Sequence, residues 1–327
     1  MSLDADYIVD RRRMRRKLTF WRVFAVLLAI VAVVALTLRF SGRGSMLTAD
    51  GGTYIARVTI NGLIRNDQDR VEALDRLAKS RARAVIVHID SPGGTAAGAE
   101  QLYASLREVA AKKHMVVVVD GLAASGGYIA ALSADHVVAR SASLVGSIGV
   151  LVQFPNVAEL LRTLGVRVEE IKSSPLKAAP SAFEPTSPEA RAALESIVKD
   201  TYGWFRALVK ERRNLTDSAL ERVADGRVFT GRQAVELKLI DQIGGEDTAI
   251  AWLVKEKGVD PKWPVRDWRL KTRFGDLSMI HLMTTAVLDA AGLSSLARRI
   301  EESATVQTIE RLNLDGLLAL WHPSAAN

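Results

Sequence analysis

The fold class this sequence predicts is α/β, with a parallel sheet buried between flanking helices, and three observations lead to it. First, Ala84-Val-Ile-Val-His88-Ile-Asp90 and Met115-Val-Val-Val-Val-Asp120 are short runs rich in β-branched residues, the pattern of strands covered on both faces. Second, Ala97–Ala110 lies between them with helical spacing, so the order is strand, helix, strand. Third, the same alternation begins upstream: Thr53–Ile60 alternates like a strand, and Asp69–Ser80 places Val71, Leu74 and Leu77 on one helical face. Strands joined by helices in this order pair in parallel through right-handed crossovers.

Bulk composition narrows the class of protein. The chain has 327 residues, of which 48% are hydrophobic, enough for one ordinary domain with appendages and too apolar for a disordered chain. It contains no cysteine, which removes disulfide and thiol chemistry, and its five histidines are scattered without a metal-ligand spacing. No metal or other cofactor is expected. The formal charge of +7 could suggest a nucleic-acid partner, but Arg11-Arg-Arg-Met-Arg-Arg-Lys17 holds six of those charges and the remainder is close to neutral.

That basic run (1–17) precedes Leu18–Leu38, an apolar stretch interrupted only by Arg22 and two threonines. At ~1.5 Å per residue, about 21 residues span a hydrocarbon core of ~30 Å, so a single transmembrane helix is expected over 18–38. Arg22 lies in its first turn, where it can snorkel to the interface. Only Arg39 and Arg43 follow closely, and the positive-inside bias therefore puts the N-terminus in the cytoplasm and the rest of the chain outside. A cleaved signal peptide ending near Val33-Val-Ala35 is the alternative, and it exports the same domain. Residues 39–52 read as a linker by their Gly and Ser content, 53–256 as the folded domain, and 257–327 as a helical extension.

Chemistry concentrates where the strands end. Ser125, in Gly121-Leu-Ala-Ala-Ser125-Gly-Gly-Tyr128, stands at a strand-to-helix bend among small residues. It is either a plain helix N-cap or a nucleophile whose following N–H groups face developing negative charge. The other strand ends in Ser91-Pro-Gly93-Gly94, whose turn can free further N–H groups at the same sheet edge. Beyond Ser125, Leu144–Leu151 carries Gly146 and Gly149, leaving backbone from Val145 to Val150 open for an extended peptide to pair with. Arg167–Lys172 looks like a strand and Ser173–Pro180 a loop, which leaves Lys172 and Lys177 as competing candidates for a base. Ser187-Pro188 opens a long helix to about Arg213, with Leu194, Ile197, Tyr202, Phe205 and Val209 on its core side, and Thr230-Gly-Arg-Gln233 is a capping-box start.

In order, the segments Asp90-Ser-Pro-Gly-Gly94, Ala124-Ser-Gly-Gly-Tyr128, Val145-Gly-Ser-Ile-Gly-Val150 and Gly226-Arg-Val-Phe-Thr-Gly231, running on to Asp241-Gln-Ile-Gly-Gly245, resemble the signal peptide peptidase A family of Ser-Lys peptidases. The resemblance covers roughly Thr53 to Glu256 and implies a crotonase/Clp-protease-like core. It further implies Ser125 as nucleophile, Lys177 as general base, Ser147 as a residue orienting that base, and Gly93, Gly94 and Gly126 around an oxyanion hole. Gly146, Ile148, Gly149 and Val150 would line the substrate strand. By the same resemblance the enzyme forms ring-shaped homo-oligomers, in which a neighbouring chain can supply the lysine. It would sit in the bacterial inner membrane with its catalytic domain on the periplasmic face, cutting short apolar peptides such as cleaved signal peptides.

Three rival readings remain. A Ser-His-Asp triad would have to use His136, which follows Ser125 beyond the intervening helix, or His88, which lies within a strand as a core residue. A crotonase-type acyl-CoA enzyme would use the same paired N–H groups on an enolate but does not explain the export signal. A catalytically silent membrane scaffold is the third. Near the C-terminus, Leu317-Leu-Ala-Leu-Trp321 is an apolar run like the expected substrates. It either docks as an added strand on the Val145–Val150 groove or packs, through Trp321, against the amphipathic Leu277–Arg299 segment.

Overall fold

The computed structural model describes residues 52–270 and the backbone of 318–320. The expected transmembrane segment 18–38 and the amphipathic segment Leu277–Arg299 lie outside the described residues, and among those described no helix is long and apolar enough to cross a membrane.

A mixed sheet with flanking helices forms the core. In chain order the elements begin with β1 (Tyr54–Ile64), α1 (Gln68–Lys79), β2 (Ala82–Thr95), α2 (Ala96–Ala110), β3 (His114–Ala124) and α3 (Gly126–Ala131). They continue with β4 (His136–Ala139), β5 (Leu144–Gly146), α4 (Ala158–Thr163), α5 (Pro188–Arg213), α6 (Asp217–Glu221), β6 (Val228–Thr230) and α7 (Gly231–Glu236). The last are β7 (Gln242–Ile243), α8 (Glu246–Lys257), β8 (Val265–Asp267) and β9 (Leu318–Leu320).

Along one path the strand order is β6-β5-β3-β2-β1-β8, with β4, β7 and β9 branching from it. The pairs β1–β2, β2–β3, β3–β4 and β3–β5 are parallel, as the strand-helix-strand order requires, while β5–β6 and β2–β9 are antiparallel. The segment after 256, expected to be a helical extension, supplies β8 beside β1 and β9 beside β2.

Alternation along the strands divides the core into two layers. Val85, Val87 and Ile89 of β2 and Val117 and Val119 of β3 face the side covered by α1, α2 and α3, against Leu74, Leu77, Leu102, Leu106 and Ile129. Ala84 and Ile86, with Val116 and Val118, face the other side, covered by Ala249 and Leu253 of α8. Each fully buried Val, Leu or Ile contributes about 1.5–3 kcal/mol relative to exposure, so the two-sided burial of β2 and β3 makes them the most strongly held strands of the sheet.

The helix boundaries follow from their caps. Asp67 accepts from the Arg70 N–H at 3.1 Å to start α1, Thr95 accepts from Gly98 at 3.1 Å to start α2, and Ser187 accepts from Ala190 at 3.1 Å to start α5 with Pro188 in the first turn. Thr230 and Gln233 form the expected reciprocal capping box of α7.

Four differences from the sequence reading have physical causes. The Pro-Gly-Gly segment is no turn: β2 runs through it to Thr95, because Gly93 and Gly94 still pair with Leu63 and Ile64 of a β1 that is longer than expected. Arg167–Lys172 forms no strand, since no neighbouring strand pairs with it, and Val168 and Ile171 are exposed. Only the second half of α5 packs on the core, through Phe205, Leu208 and Val209, while Ile197 stays exposed. His88 is not an apolar core residue: its ring nitrogens lie 2.9 Å from Asp120 Oδ2 and 2.7 Å from Glu246 Oε2.

Candidate active site

Ser125 stands where β3 becomes α3, and its backbone is unlike that of an ordinary cap. With φ 53° and ψ −115° it occupies a region that L-residues rarely adopt, and its side chain makes no capping hydrogen bond. The strain is held from both sides. Its N–H donates to the Gly146 carbonyl at 2.8 Å, and its own carbonyl accepts from Tyr128 and Ile129 at 2.9 Å each. Its Oγ is buried and has no hydrogen-bond partner among the described residues. Ser125 therefore does not act as a side-chain cap of α3, because a capping serine gains its stability from the bond that is missing here.

The residues after Ser125 must be small. A Cβ on Gly127 would lie 2.6 Å from the Ser91 carbonyl oxygen, so α3 packs directly on the end of β2. Gly126 opens α3, and the first N–H groups of a helix have no partner within it. On β2, a Cβ at Gly94 would fall 1.8 Å from the Ile64 carbonyl oxygen. Gly93 has φ 100°, and its N–H is committed to Ser91 Oγ at 3.1 Å, while that hydroxyl donates to the Gly62 carbonyl at 2.6 Å. Ser91, fully buried, thus fixes the path of the Gly-Gly segment, a role the sequence reading did not assign it although a serine before Pro-Gly-Gly is a turn-forming signal.

Next to Ser125 lies the Gly146–Ser147 bend. Gly146 pairs with Ala124 of β3 on one edge and Val228 of β6 on the other, so its backbone has no edge left for a peptide. Ser147 is buried with φ 50°, and its N–H donates to the Arg227 carbonyl at 2.8 Å. This gives the Asp225–Gly231 segment a structural account: Arg227 pairs with Asp225 through its side chain and holds Ser147 through its backbone, while the Phe229 ring lies 3.0 Å from where a Gly146 Cβ would be. Ile148 is buried in the core, so any contact it makes with a substrate is through its backbone; Val150 is half-buried, and Gly149 approaches Gly226.

The two candidate lysines differ sharply. Lys172 lies 2.6 Å from both Glu170 and Glu184, and those carboxylates hold its ammonium above the ordinary lysine value, which disqualifies it as a base. Lys177 makes no ion pair among the described residues; it sits exposed in the turn after Ser174, whose carbonyl accepts its N–H at 3.1 Å. Within the chain Lys177 does not hydrogen-bond to Ser125 Oγ, which has no partner among the described residues.

Neither histidine reaches Ser125. His136 stacks on Trp252 with centroids 4.5 Å apart, and burial lowers its imidazole below the ordinary value. His88 is held between Asp120 and Glu246, and Glu246 is in turn bound by Arg57 at 2.6 and 2.5 Å. That cluster ties β1, β2 and β3 to the start of α8, and neither His88 nor His136 hydrogen-bonds to Ser125.

Comparison with known proteins agrees with this geometry. The description of peptidase family S49 matches residues 107–260. A candidate protease of Synechocystis sp. is 36% identical over 209 residues, covering 63% of this chain and 76% of that protein. The chain belongs to peptidase family S49, the signal peptide peptidase A family. A second candidate protease, from Methanocaldococcus jannaschii, is 32% identical over 70% of this chain and 78% of its own length. The Arabidopsis thaliana protein named chloroplastic serine protease SPPA is 34% identical over 226 residues, but these cover 33% of its length. The matched region of the S49 chain includes Ser125, the Gly146–Ser147 bend, Lys177 and the Asp225–Gly231 segment.

Proposed function

We propose that this S49 peptidase is a membrane-anchored serine endopeptidase with a Ser125–Lys177 dyad, degrading short apolar peptides such as cleaved signal peptides. The observation that carries the proposal is the strained, buried Ser125 whose hydroxyl has no partner among the described residues. In the proposed reaction Lys177, neutral, takes the Ser125 proton as Oγ attacks the scissile carbonyl, and then passes that proton to the leaving amine. Water hydrolyses the acyl-enzyme in the reverse sense. The N–H groups at Gly126 and Gly94 are assigned to the oxyanion, and Ser147 to orienting the lysine.

The site is proposed to be completed between chains. Lys177 lies on the 151–187 arm, which leaves Leu160, Leu164, Val166, Ile171 and Phe183 exposed in the single chain, and Ile171 is 105% exposed. A large apolar surface of this kind favours burial against a neighbour. Docked on a second copy, the arm would lose water around Lys177, the condition under which an ammonium gives up its proton. The anchor is assigned to the apolar segment 18–38 with the N-terminus cytoplasmic and the catalytic domain on the outer face of a bacterial inner membrane, on the charge asymmetry of the sequence.

Purified protein lacking residues 1–45 is expected to hydrolyse peptides with small or apolar residues before the cut, and Ser125→Ala to abolish it. Full activity in Ser125→Ala would overturn the assignment.

A further inference from the structure

At the end of the sheet away from Ser125, β2 begins among cations. Arg81 and Arg83 flank the buried Ala82, and both are exposed. Ala84 pairs with His114 of β3, so Arg83 and Lys113 run side by side one residue earlier. Arg81, Arg83, Lys112 and Lys113, with Thr53 and Ser80, line a cleft of about 370 Å³ whose described lining holds no carboxylate. Among the described residues Arg83, Lys112 and Lys113 form no ion pair, and Asp75, the carboxylate that Lys112 faces from α1, is engaged by Lys79 at 2.6 Å. Outside the N-terminal run the chain is close to neutral, so four cations in one cleft are a local excess.

Lys113 is the member of this group that needs an explanation. It is 9% exposed, and its ammonium donates to the Ser80 carbonyl at 2.9 Å and to the Ala82 carbonyl at 2.7 Å. These contacts lie at the C-terminal end of α1 and use two of the three N–H donors of the ammonium. Burial, with Arg83 and Lys112 beside it, pushes that ammonium below the ordinary lysine value. A buried cation crowded by like charges is destabilising, and an anion in the cleft relieves the repulsion.

We infer that this cleft binds a phosphate group, carried by an anionic lipid headgroup or free in solution. Arg83 offers a planar fork that matches two phosphate oxygens, Lys112 a mobile charge, and Lys113 its remaining N–H. Thr53 at the cleft directly follows the 39–52 linker, so a chain anchored through 18–38 is tethered at this side of the domain, which favours the lipid. The lipid source rests on the membrane-anchored reading, whereas the phosphate site does not. Ten residues of β2 separate Arg83 from Gly93, a distance of about 30 Å along a strand, so the site is independent of the catalytic groups.

The test uses the full chain in nanodiscs and follows acetylation of Lys112 by acetic anhydride, an uncharged reagent, by mass spectrometry. Discs of phosphatidylcholine containing phosphatidylglycerol are expected to slow the reaction relative to phosphatidylcholine alone, and inorganic phosphate is expected to slow it in a saturable way in both. A cation near an anionic surface contributes about fivefold to binding, so Arg83→Ser, which leaves the Lys112 reporter in place, is expected to raise the half-effective phosphate concentration about fivefold. Slowing by phosphatidylglycerol without added phosphate identifies the lipid, and slowing by phosphate alone, equal in the two kinds of disc, identifies free phosphate; either result supports the site. Unchanged Lys112 reactivity with both probes would overturn it, as would slowing that Arg83→Ser retains in full, which reflects only the charge of the surface. Hydrolysis of a soluble peptide by Arg83→Ser is expected to keep the wild-type rate, so absence of that activity in every form would remove the peptidase reading and leave the phosphate result standing.

Discussion

At the scale of single residues, the site is defined by what is missing as much as by what is bound. Ser125 Oγ is buried without a partner among the described residues, and Gly94 and Gly127 stand where no side chain fits. Gly94→Ala has to displace β1, because the new Cβ would start 1.8 Å from a carbonyl oxygen. The cost is expected to be about 1–3 kcal/mol of stability, with a slower reaction of Ser125 toward phosphonates, checked by denaturant unfolding and labelling rate. Lys177→Arg cannot give up its proton near neutrality and is expected to be as inactive as Lys177→Ala, at least about 10³-fold below wild type in kcat/KM. Substantial activity in Lys177→Arg would remove the lysine from the reaction. As candidates, Ser125 and its glycine neighbours could be picked out from strand-to-helix spacing and small neighbours, and Lys177 only from the family resemblance. The backbone strain at Ser125 and its missing cap bond could not be read, since a capping and a non-capping serine share one sequence pattern and differ only in φ and in a hydrogen bond.

At the scale of elements, the same logic separates what periodicity reveals from what it hides. The buried strands, α1, α2 and the start of α5 follow from apolar spacing and caps; the helix starts fall within a residue of expectation, whereas β1, β2 and β3 each run four or five residues further than expected. At Gly93-Gly94 β1 and β2 continue side by side, because two backbones without side chains between them can go on pairing. Arg167–Lys172 misled for the opposite reason: alternation shows that a segment could pair, not that a partner is present. The Arg57–Glu246–His88–Asp120 cluster was invisible because its members are far apart in sequence and meet only when α8 docks on the sheet. Arg57 beside Glu246 holds that carboxyl below the ordinary carboxylate value of 4.5. The unfolded chain therefore binds this proton more tightly than the folded one, and the stabilisation is fully present above about pH 4.5 and lost as pH falls through the lower folded value. Glu246→Gln is expected to cost about 1 kcal/mol at pH 7 and to flatten the acid side of a stability-versus-pH curve measured by urea unfolding. Phe229→Ala, which empties the space beside Gly146, is expected to cost about 3 kcal/mol and to lower kcat by loosening the Ser147 bend.

At the scale of the whole molecule, the 151–187 arm and the solitary Ser125 belong to one proposal: a site that two chains complete. Ile171→Asp puts a charge on the most exposed apolar side chain of the arm and is expected to dissociate the assembly, read by light scattering, with the circular dichroism of the chain preserved. Mixed oligomers of Ser125→Ala and Lys177→Ala are expected to recover part of the activity that each lacks alone. The partnership of Ser125 and Lys177 is tested most directly by intact-mass measurement of phosphonate adducts on the assembled enzyme. Wild-type protein should take up one adduct per chain, mapped to Ser125, whereas Lys177→Arg should remain unmodified over the same time. An adduct on another serine, or labelling of Lys177→Arg at the wild-type rate, would contradict a Ser125–Lys177 peptidase.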